Sequence, residues 1–66
     1  MASDVLIKLD DGSEFYLGGI DHLEVDKLKG TFRFVMKTGK TYSTDKDTFY
    51  YFIEKYNLNA VLRNLG

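Results

Sequence analysis

Apolar and polar residues alternate most clearly between residues 31 and 44, and this alternation predicts a β-hairpin. A period of two places successive side chains on opposite faces of a strand. Gly39 supplies the positive φ angle that a tight turn requires. A three-residue loop at 37–39 would pair Phe34 with Tyr42. The apolar face of the first strand carries Phe32, Phe34 and Met36, and the opposite face carries Arg33 and Lys37.

A second hairpin is predicted from residues 5–9 and 13–17, on either side of a turn at 10–12. The Asp-Asp-Gly sequence of this turn is typical, because Asp tolerates turn geometry and Gly adopts positive φ. A three-residue loop pairs Ile7 with Phe15, whereas a loop of two residues would scatter the apolar side chains over both faces. The residues collected on one face are Val5, Ile7, Leu9, Phe15 and Leu17.

A further strand is predicted over residues 20–26, after the glycine pair at 18–19, which indicates a bend or bulge. A loop at 27–30 sets this strand against the first strand of the 31–44 hairpin. The resulting pairs are Val25 with Phe32, Leu23 with Phe34, and Glu24 with Arg33. Agreement between pattern and pairing favours a meander. The alternative is a short helix over residues 20–29.

A helix is predicted after Thr44 and Asp45, either of which can cap free backbone N–H groups. Its apolar stripe, at i, i+3, i+4 and i+7, is Phe49, Phe52, Ile53 and Tyr56. Asn57 is suited to end the helix in a left-handed conformation.

The tail at 58–66 resembles a second short helical turn, with Asn59 as its cap. Its apolar residues, which need a partner in the core or on another molecule, are Leu58, Val61, Leu62 and Leu65. The whole pattern predicts an α+β fold in a single domain, residues 1–66. This fold is an antiparallel β-meander of four to five strands with the C-terminal helix packed on one face.

Composition argues against catalysis and against a cofactor. The chain has no cysteine and a single histidine, His22, which we interpret as a surface residue of a strand. The acidic turn at 10–14 lacks the ligand spacing of a calcium loop, and no glycine-rich phosphate loop is present. We therefore expect a protein that is not an enzyme and that uses no metal and no cofactor.

The sequence also indicates a cytoplasmic protein without membrane contact. No apolar run approaches the roughly 20 residues of a membrane span. Residues 1–4 lack the basic stretch and apolar core of a signal peptide.

Charge is distributed unevenly along the chain, although the net charge is only −1. Residues 1–26 carry seven acidic residues and one lysine, and residues 27–66 carry eight basic and three acidic residues. The two halves either neutralise each other in the fold or leave a basic binding face. The candidate nucleic-acid-binding residues on such a face are Lys27, Lys29, Arg33, Lys37 and Lys40.

The leading functional hypothesis is a protein-interaction module of regulator or inhibitor type, a kind of small domain common among phage and mobile-element proteins. Tyr and Arg are favoured interface anchors. The candidate residues on the open sheet face are Tyr16, Arg33, Val35 and Lys37, and those of the helical end are Tyr50, Leu62 and Leu65. A nucleic-acid-binding domain is the second hypothesis. The third is a self-associating structural protein that buries its C-terminal leucines in a homodimer.

The strand at 20–26, the hairpin with its Lys-Thr-Gly-Lys turn at 37–40 and the following helix together resemble part of a LytTR-type DNA-binding domain. The resemblance covers residues 5–56 and implies a β-rich fold that contacts DNA. The later segment through which that family contacts DNA has no counterpart here, so the resemblance assigns no DNA-contacting residue. It implies a truncated relative, reused for protein binding.

Overall fold

A computed structural model describes residues 4–66 and shows an α+β fold. The expectation about a signal peptide therefore lies largely outside the described residues. The structure contains six strands in two sheets and one α-helix near the C-terminus. The elements are β1 (Leu6–Lys8), β2 (Glu14–Tyr16), β3 (Ile20–Asp26), β4 (Thr31–Met36), β5 (Thr41–Thr44), α1 (Lys46–Tyr56) and β6 (Leu62–Asn64). Two 3₁₀ turns, Leu17–Gly19 and Leu58–Val61, precede β3 and β6.

Strands β1 and β2 form a separate two-stranded antiparallel sheet with the predicted register, in which Ile7 lies opposite Phe15. The N–H of Leu9 donates to the Ser13 carbonyl, which closes the three-residue loop. Gly12 has a φ of 93°, so the turn depends on a residue without a Cβ.

The larger sheet has the strand order β5-β4-β3-β6. Its two antiparallel pairings have the predicted registers, with Glu24 opposite Arg33 and Phe34 opposite Tyr42. Residues 20–26 are therefore a strand, and the alternative helix over 20–29 is wrong. Apolar side chains oppose apolar side chains on one face of both pairs, which explains why the register was readable from the pattern.

The prediction of a single four- to five-stranded antiparallel meander is wrong, because the larger sheet is mixed. After α1 the chain returns to the free edge of β3 and adds β6 in parallel, with Leu23 opposite Leu62. The N–H of Leu65 donates to the Val25 carbonyl at 2.8 Å. The short helical turn predicted in the tail is present as a 3₁₀ turn at Leu58–Val61, but Asn59 does not cap it, and the residues that follow, Leu62–Asn64, form a strand.

A β-bulge in β3 settles which face each of its residues occupies. The register shifts between Ile20, which opposes Met36, and His22, which opposes Val35. Because β3 has one extra residue at this point, Ile20 lies on the same apolar face as Leu23, which regular alternation would not allow. The glycine pair predicted to bend the chain lies just before this bulge, in the first 3₁₀ turn.

Helix α1 begins and ends as predicted. The Asp45 carboxylate accepts a hydrogen bond from the Thr48 N–H at 3.0 Å, which caps the N-terminus. Asn57 adopts the left-handed conformation at the C-terminus, with a φ of 54°. Phe49 and Ile53 of the predicted stripe are buried.

The core lies between the larger sheet and two covering elements. The Phe34 ring centroid is 5.1 Å from that of Phe15 on β2 and 5.5 Å from that of Phe49 on α1. The face of the larger sheet that carries Phe34 is therefore covered by both the β1–β2 hairpin and the helix. We call the opposite side of the sheet, which carries Arg33 and Val35, the outer face. None of the described elements packs over it.

Candidate binding surfaces

The structure separates the residues predicted to form one protein-binding sheet face. Tyr16 is 55% exposed on β2, whose other face packs Phe15 into the core. Arg33 and Val35 point to the outer face of the larger sheet, on the opposite side of the molecule. Tyr16 pairs instead with Leu6, another exposed residue of the small sheet. The prediction of one common surface assumed a single sheet, which is why it was wrong.

The predicted helical-end residues also have three different environments. Tyr50 is half-buried on α1. Leu62 is half-buried in β6 and packs against the core, so it serves the fold. Leu65 is 53% exposed just beyond β6 and lies free at the surface.

The predicted basic residues do not form one patch. Lys27 and Lys29 lie in the loop between β3 and β4, whereas Lys37 and Lys40 lie in the loop between β4 and β5. These loops are at opposite ends of β4, a six-residue strand that spans about 20 Å. Arg33 lies between them and pairs with Glu24 at 3.2 Å. A continuous track for a phosphate backbone is therefore absent from this part of the described surface.

The outer face carries an ordered chain of four side chains, which we call the His22 network: Asp21, His22, Glu24 and Arg33. His22 Nδ1 lies 2.7 Å from Asp21 Oδ2, and His22 Nε2 lies 3.0 Å from Glu24 Oε2. The second oxygen of Glu24, Oε1, forms an ion pair with Arg33 Nη2 at 3.2 Å. His22 is buried, with only 9% of its surface exposed, so the interpretation of His22 as a surface residue is wrong, although its place in a strand is confirmed.

The network favours the charged form of its histidine. Hydrogen bonds to Asp21 and then to Glu24 raise the pKa of His22 above its ordinary value of 6.5, although partial burial opposes the shift. The hydrogen bond from His22 lowers the pKa of Asp21. Only an imidazolium can donate from both ring nitrogens at once. The sequence did not reveal this network, because simple alternation would place Asp21 on the opposite face from His22, and the register shift between Ile20 and His22 falls at Asp21.

We expect the protein to lose stability as the pH rises through the folded-state pKa of His22. The folded state binds this proton more tightly than the unfolded state, so the contribution is fully present below about pH 6.5, the unfolded value. Above the folded pKa, a neutral imidazole leaves one of the two carboxylates facing a ring nitrogen that carries no proton. Urea titrations at several values between about pH 5.5 and 9 would measure the loss.

The control for this prediction is His22→Gln, which removes the only titrating imidazole in the chain. The variant should show a flatter profile of unfolding free energy over the same range. Parallel profiles for the two proteins would contradict a coupling between the His22 proton and the fold. Proton NMR of the single histidine gives its folded pKa directly.

The same geometry leaves His22 no free nitrogen for a metal. Within residues 4–66, no three side chains of His, Cys, Asp or Glu gather in an arrangement that would hold a metal ion.

A cleft of about 390 Å³ lies where the β3–β4 loop meets the first turns of α1. It is near the lower end of the roughly 300–1,000 Å³ typical of ligand sites. We call it the Lys-aromatic cleft, and its lining residues are Lys27, Gly30, Phe32, Lys46 and Tyr50. It unites Lys27 and Tyr50, which the sequence assigned to two different hypotheses. Lys46 was not predicted as a site residue, because no pattern in the sequence indicates that the start of α1 lies beside the β3–β4 loop.

Comparisons with known proteins give no relative from which a function could be transferred. No family model matches the chain, and no significant match was found among curated proteins or solved structures. No α-helix in the described part of the chain is long and apolar enough to cross a membrane.

Proposed function

We propose that this chain is a small, non-enzymatic protein-interaction module of regulator or inhibitor type that binds a folded protein partner through its outer face. The observation that carries the proposal is the His22 network, which holds Arg33 in place on an uncovered sheet. Arginine is among the residues that most often dominate interface energies. A side chain that is already ordered loses less conformational entropy on binding.

The pattern of charge across the outer face supports a protein partner. One row crosses all four strands, and its members are Ser43, Arg33, Glu24 and Arg63. A neighbouring row sets Val35 beside His22. Alternating signs around an apolar side chain suit a protein surface with complementary charges.

Nucleic-acid binding, which the LytTR resemblance implies, is the weaker proposal. Asp21 and Glu24 would repel a phosphate backbone laid across the outer face, and the loop lysines lie at its two ends. Self-association remains the third hypothesis, and it concerns mainly the exposed Leu65.

The proposal is tested by pull-down from bacterial lysate, with and without nuclease, using the full chain and two charge-reversal variants. Lys37→Glu combined with Arg63→Glu alters the outer face. Lys29→Glu combined with Lys55→Glu makes the same change in net charge at exposed positions elsewhere. Both variants should keep the free energy of unfolding of the parent within about 0.5 kcal/mol, because exposed substitutions usually have small effects.

We expect the full chain to capture one protein at a stoichiometric ratio, with or without nuclease. The control variant should capture the same protein, and the outer-face variant should bind it at least about tenfold more weakly. Bound material that disappears with nuclease would favour the nucleic-acid alternative. Equal capture by both variants would contradict the outer face as the binding surface. A molecular mass that rises with protein concentration would favour self-association.

A further inference from the structure

The Lys-aromatic cleft has an apolar floor built from two half-buried rings. The centroids of Phe32 on β4 and Tyr50 on α1 are 6.1 Å apart in an edge-to-face arrangement. Phe49 fixes both from below, with centroids 5.3 Å from Phe32 and 5.4 Å from Tyr50. The floor is therefore part of the folded core and exists before any ligand arrives.

The mouth of the cleft stays open at Gly30. This residue has a φ of 69°, and a Cβ placed there would meet no other atom within 4 Å. A side chain in that position would meet open space, and the backbone conformation disfavours one. The β3–β4 loop is thus tied into a shape that leaves the rings accessible.

Two ammonium groups at the cleft lack an acidic partner. Neither Lys27 nor Lys46 forms an ion pair with any residue in the range 4–66. Of the three acidic residues adjacent to them in sequence, Asp26 and Asp45 are engaged elsewhere, and Asp47 forms no ion pair with either lysine. Asp26 accepts hydrogen bonds from the backbone of the β3–β4 loop, and Asp45 accepts two from Thr48. Both ammonium groups at the cleft are therefore left without a direct ion-pair partner in this range.

We propose that the Lys-aromatic cleft binds an acidic peptide segment of a partner protein, one that presents a large apolar side chain flanked by carboxylates. The apolar side chain packs against Phe32 and Tyr50, and the carboxylates pair with Lys27 and Lys46. This is a second binding site, and it does not depend on the proposal for the outer face.

A peptide fits this cleft better than single-stranded nucleic acid. Base stacking needs a free aromatic face, whereas Phe32 and Tyr50 pack edge to face with each other, Tyr50 packs edge to face with Phe49, and Phe32 packs at a tilt against Phe49. A nucleic acid also needs a basic track for successive phosphates, and Lys37 and Lys40 lie at the far end of β4. Two lysines beside an apolar floor match a short acidic motif with one anchor.

The test is an NMR titration of the ¹⁵N-labelled full chain with three probes. The first is a blocked peptide of Glu residues around one Leu, the second has Ser in place of that Leu, and the third is a single-stranded oligothymidylate. We expect saturable shifts of the Gly30, Phe32 and Tyr50 amides with the first peptide. The second peptide should bind at least about tenfold more weakly, because the apolar anchor is missing.

The site is then tested with Lys27→Glu combined with Lys46→Glu. This double variant should bind the Leu peptide at least about tenfold more weakly. Glu is favourable in the first turn of a helix, so this variant should stay folded. The matched control, Lys29→Glu combined with Lys55→Glu, should retain binding. Tyr50→Phe should also retain it, whereas Tyr50→Ala should lose it.

Three results would overturn the proposal: no saturable shift, equal binding of the Leu and Ser peptides, or tighter binding of the oligothymidylate. Loss of peptide binding in the Lys29 and Lys55 control would also overturn it, because attraction would then be non-specific. The outer-face variant serves as an additional control. It should bind the Leu peptide normally even if it fails to capture a folded partner, so the two proposals can fail separately.

Discussion

Replacing Phe34 by alanine should leave the protein largely unfolded or barely stable at 25 °C. Phe34 has no exposed surface, and its ring lies between Phe15 of the hairpin and Phe49 of the helix. Truncating a buried phenylalanine costs about 3–5 kcal/mol. A domain of 66 residues has a total free energy of unfolding of about 3–10 kcal/mol. One substitution therefore removes most of the available stability.

Urea unfolding followed by circular dichroism measures the loss, and Tyr16→Ala is the matched control. Tyr16 is also an aromatic residue in a strand, but it is 55% exposed and leaves no buried cavity. It should shift the unfolding free energy by less than about 1 kcal/mol. Similar losses for the two variants would contradict the placement of Phe34 at the junction of the sheet and its two covering elements.

The second large effect is expected from Leu23→Ala, which should cost about 2–5 kcal/mol. Leu23 is fully buried in β3, opposite Phe34 on one side and opposite Leu62 on the other. The substitution would thus leave a cavity next to β6, the strand formed by the C-terminal tail. We expect the Leu65 amide, which bonds to the Val25 carbonyl, to exchange with solvent faster in this variant.

Leu28→Ala is the control, because it makes the same chemical change at a side chain that is 89% exposed in the β3–β4 loop. It should alter the unfolding free energy by no more than about 0.5 kcal/mol and leave the Leu65 amide protected. Unchanged exchange of that amide in Leu23→Ala would show that β6 does not depend on this part of the core.

Local pattern was sufficient to predict three hairpin registers and the helix. The hairpin registers depend on alternation and on turn residues, and the helix bounds depend on capping residues. All of these signals lie within a few residues of the contact that they specify. Val25 opposite Phe32 is an example, since a slip by one residue would turn both side chains to the outer face. The Asn57 cap is another, because left-handed geometry favours very few residue types.

The parallel strand could not be predicted in the same way. A segment of three residues, 62–64, is too short to show a period, and its neighbours have helix-like spacing. This segment pairs with the free edge of β3, and that edge exists only after the other strands have assembled. The division into two sheets is equally non-local, since it depends on Phe15 packing over Phe34 instead of β2 pairing with β3.

The candidate sites were predicted as residue types but not as groupings. Arg33 and Tyr50 were identified as anchors, and Glu24 was predicted opposite Arg33, but the structure gives both anchors further neighbours that were not expected. Arg33 belongs with Glu24 and His22, and Tyr50 belongs with Lys46. Such groupings depend on tertiary placement, and a sequence pattern records only spacing along one element.

The position of β6 beside β3 also bears on the order in which the molecule assembles. Pairing Leu23 with Leu62 closes a loop of 39 residues, the difference between their positions, whereas the hairpins close after only a few. The entropy lost in closing a loop grows with its length, so short-range pairs form at lower cost. We therefore expect the meander of β3, β4 and β5 to form early and β6 to dock late. On the reverse path, the C-terminal strand should be the first to detach.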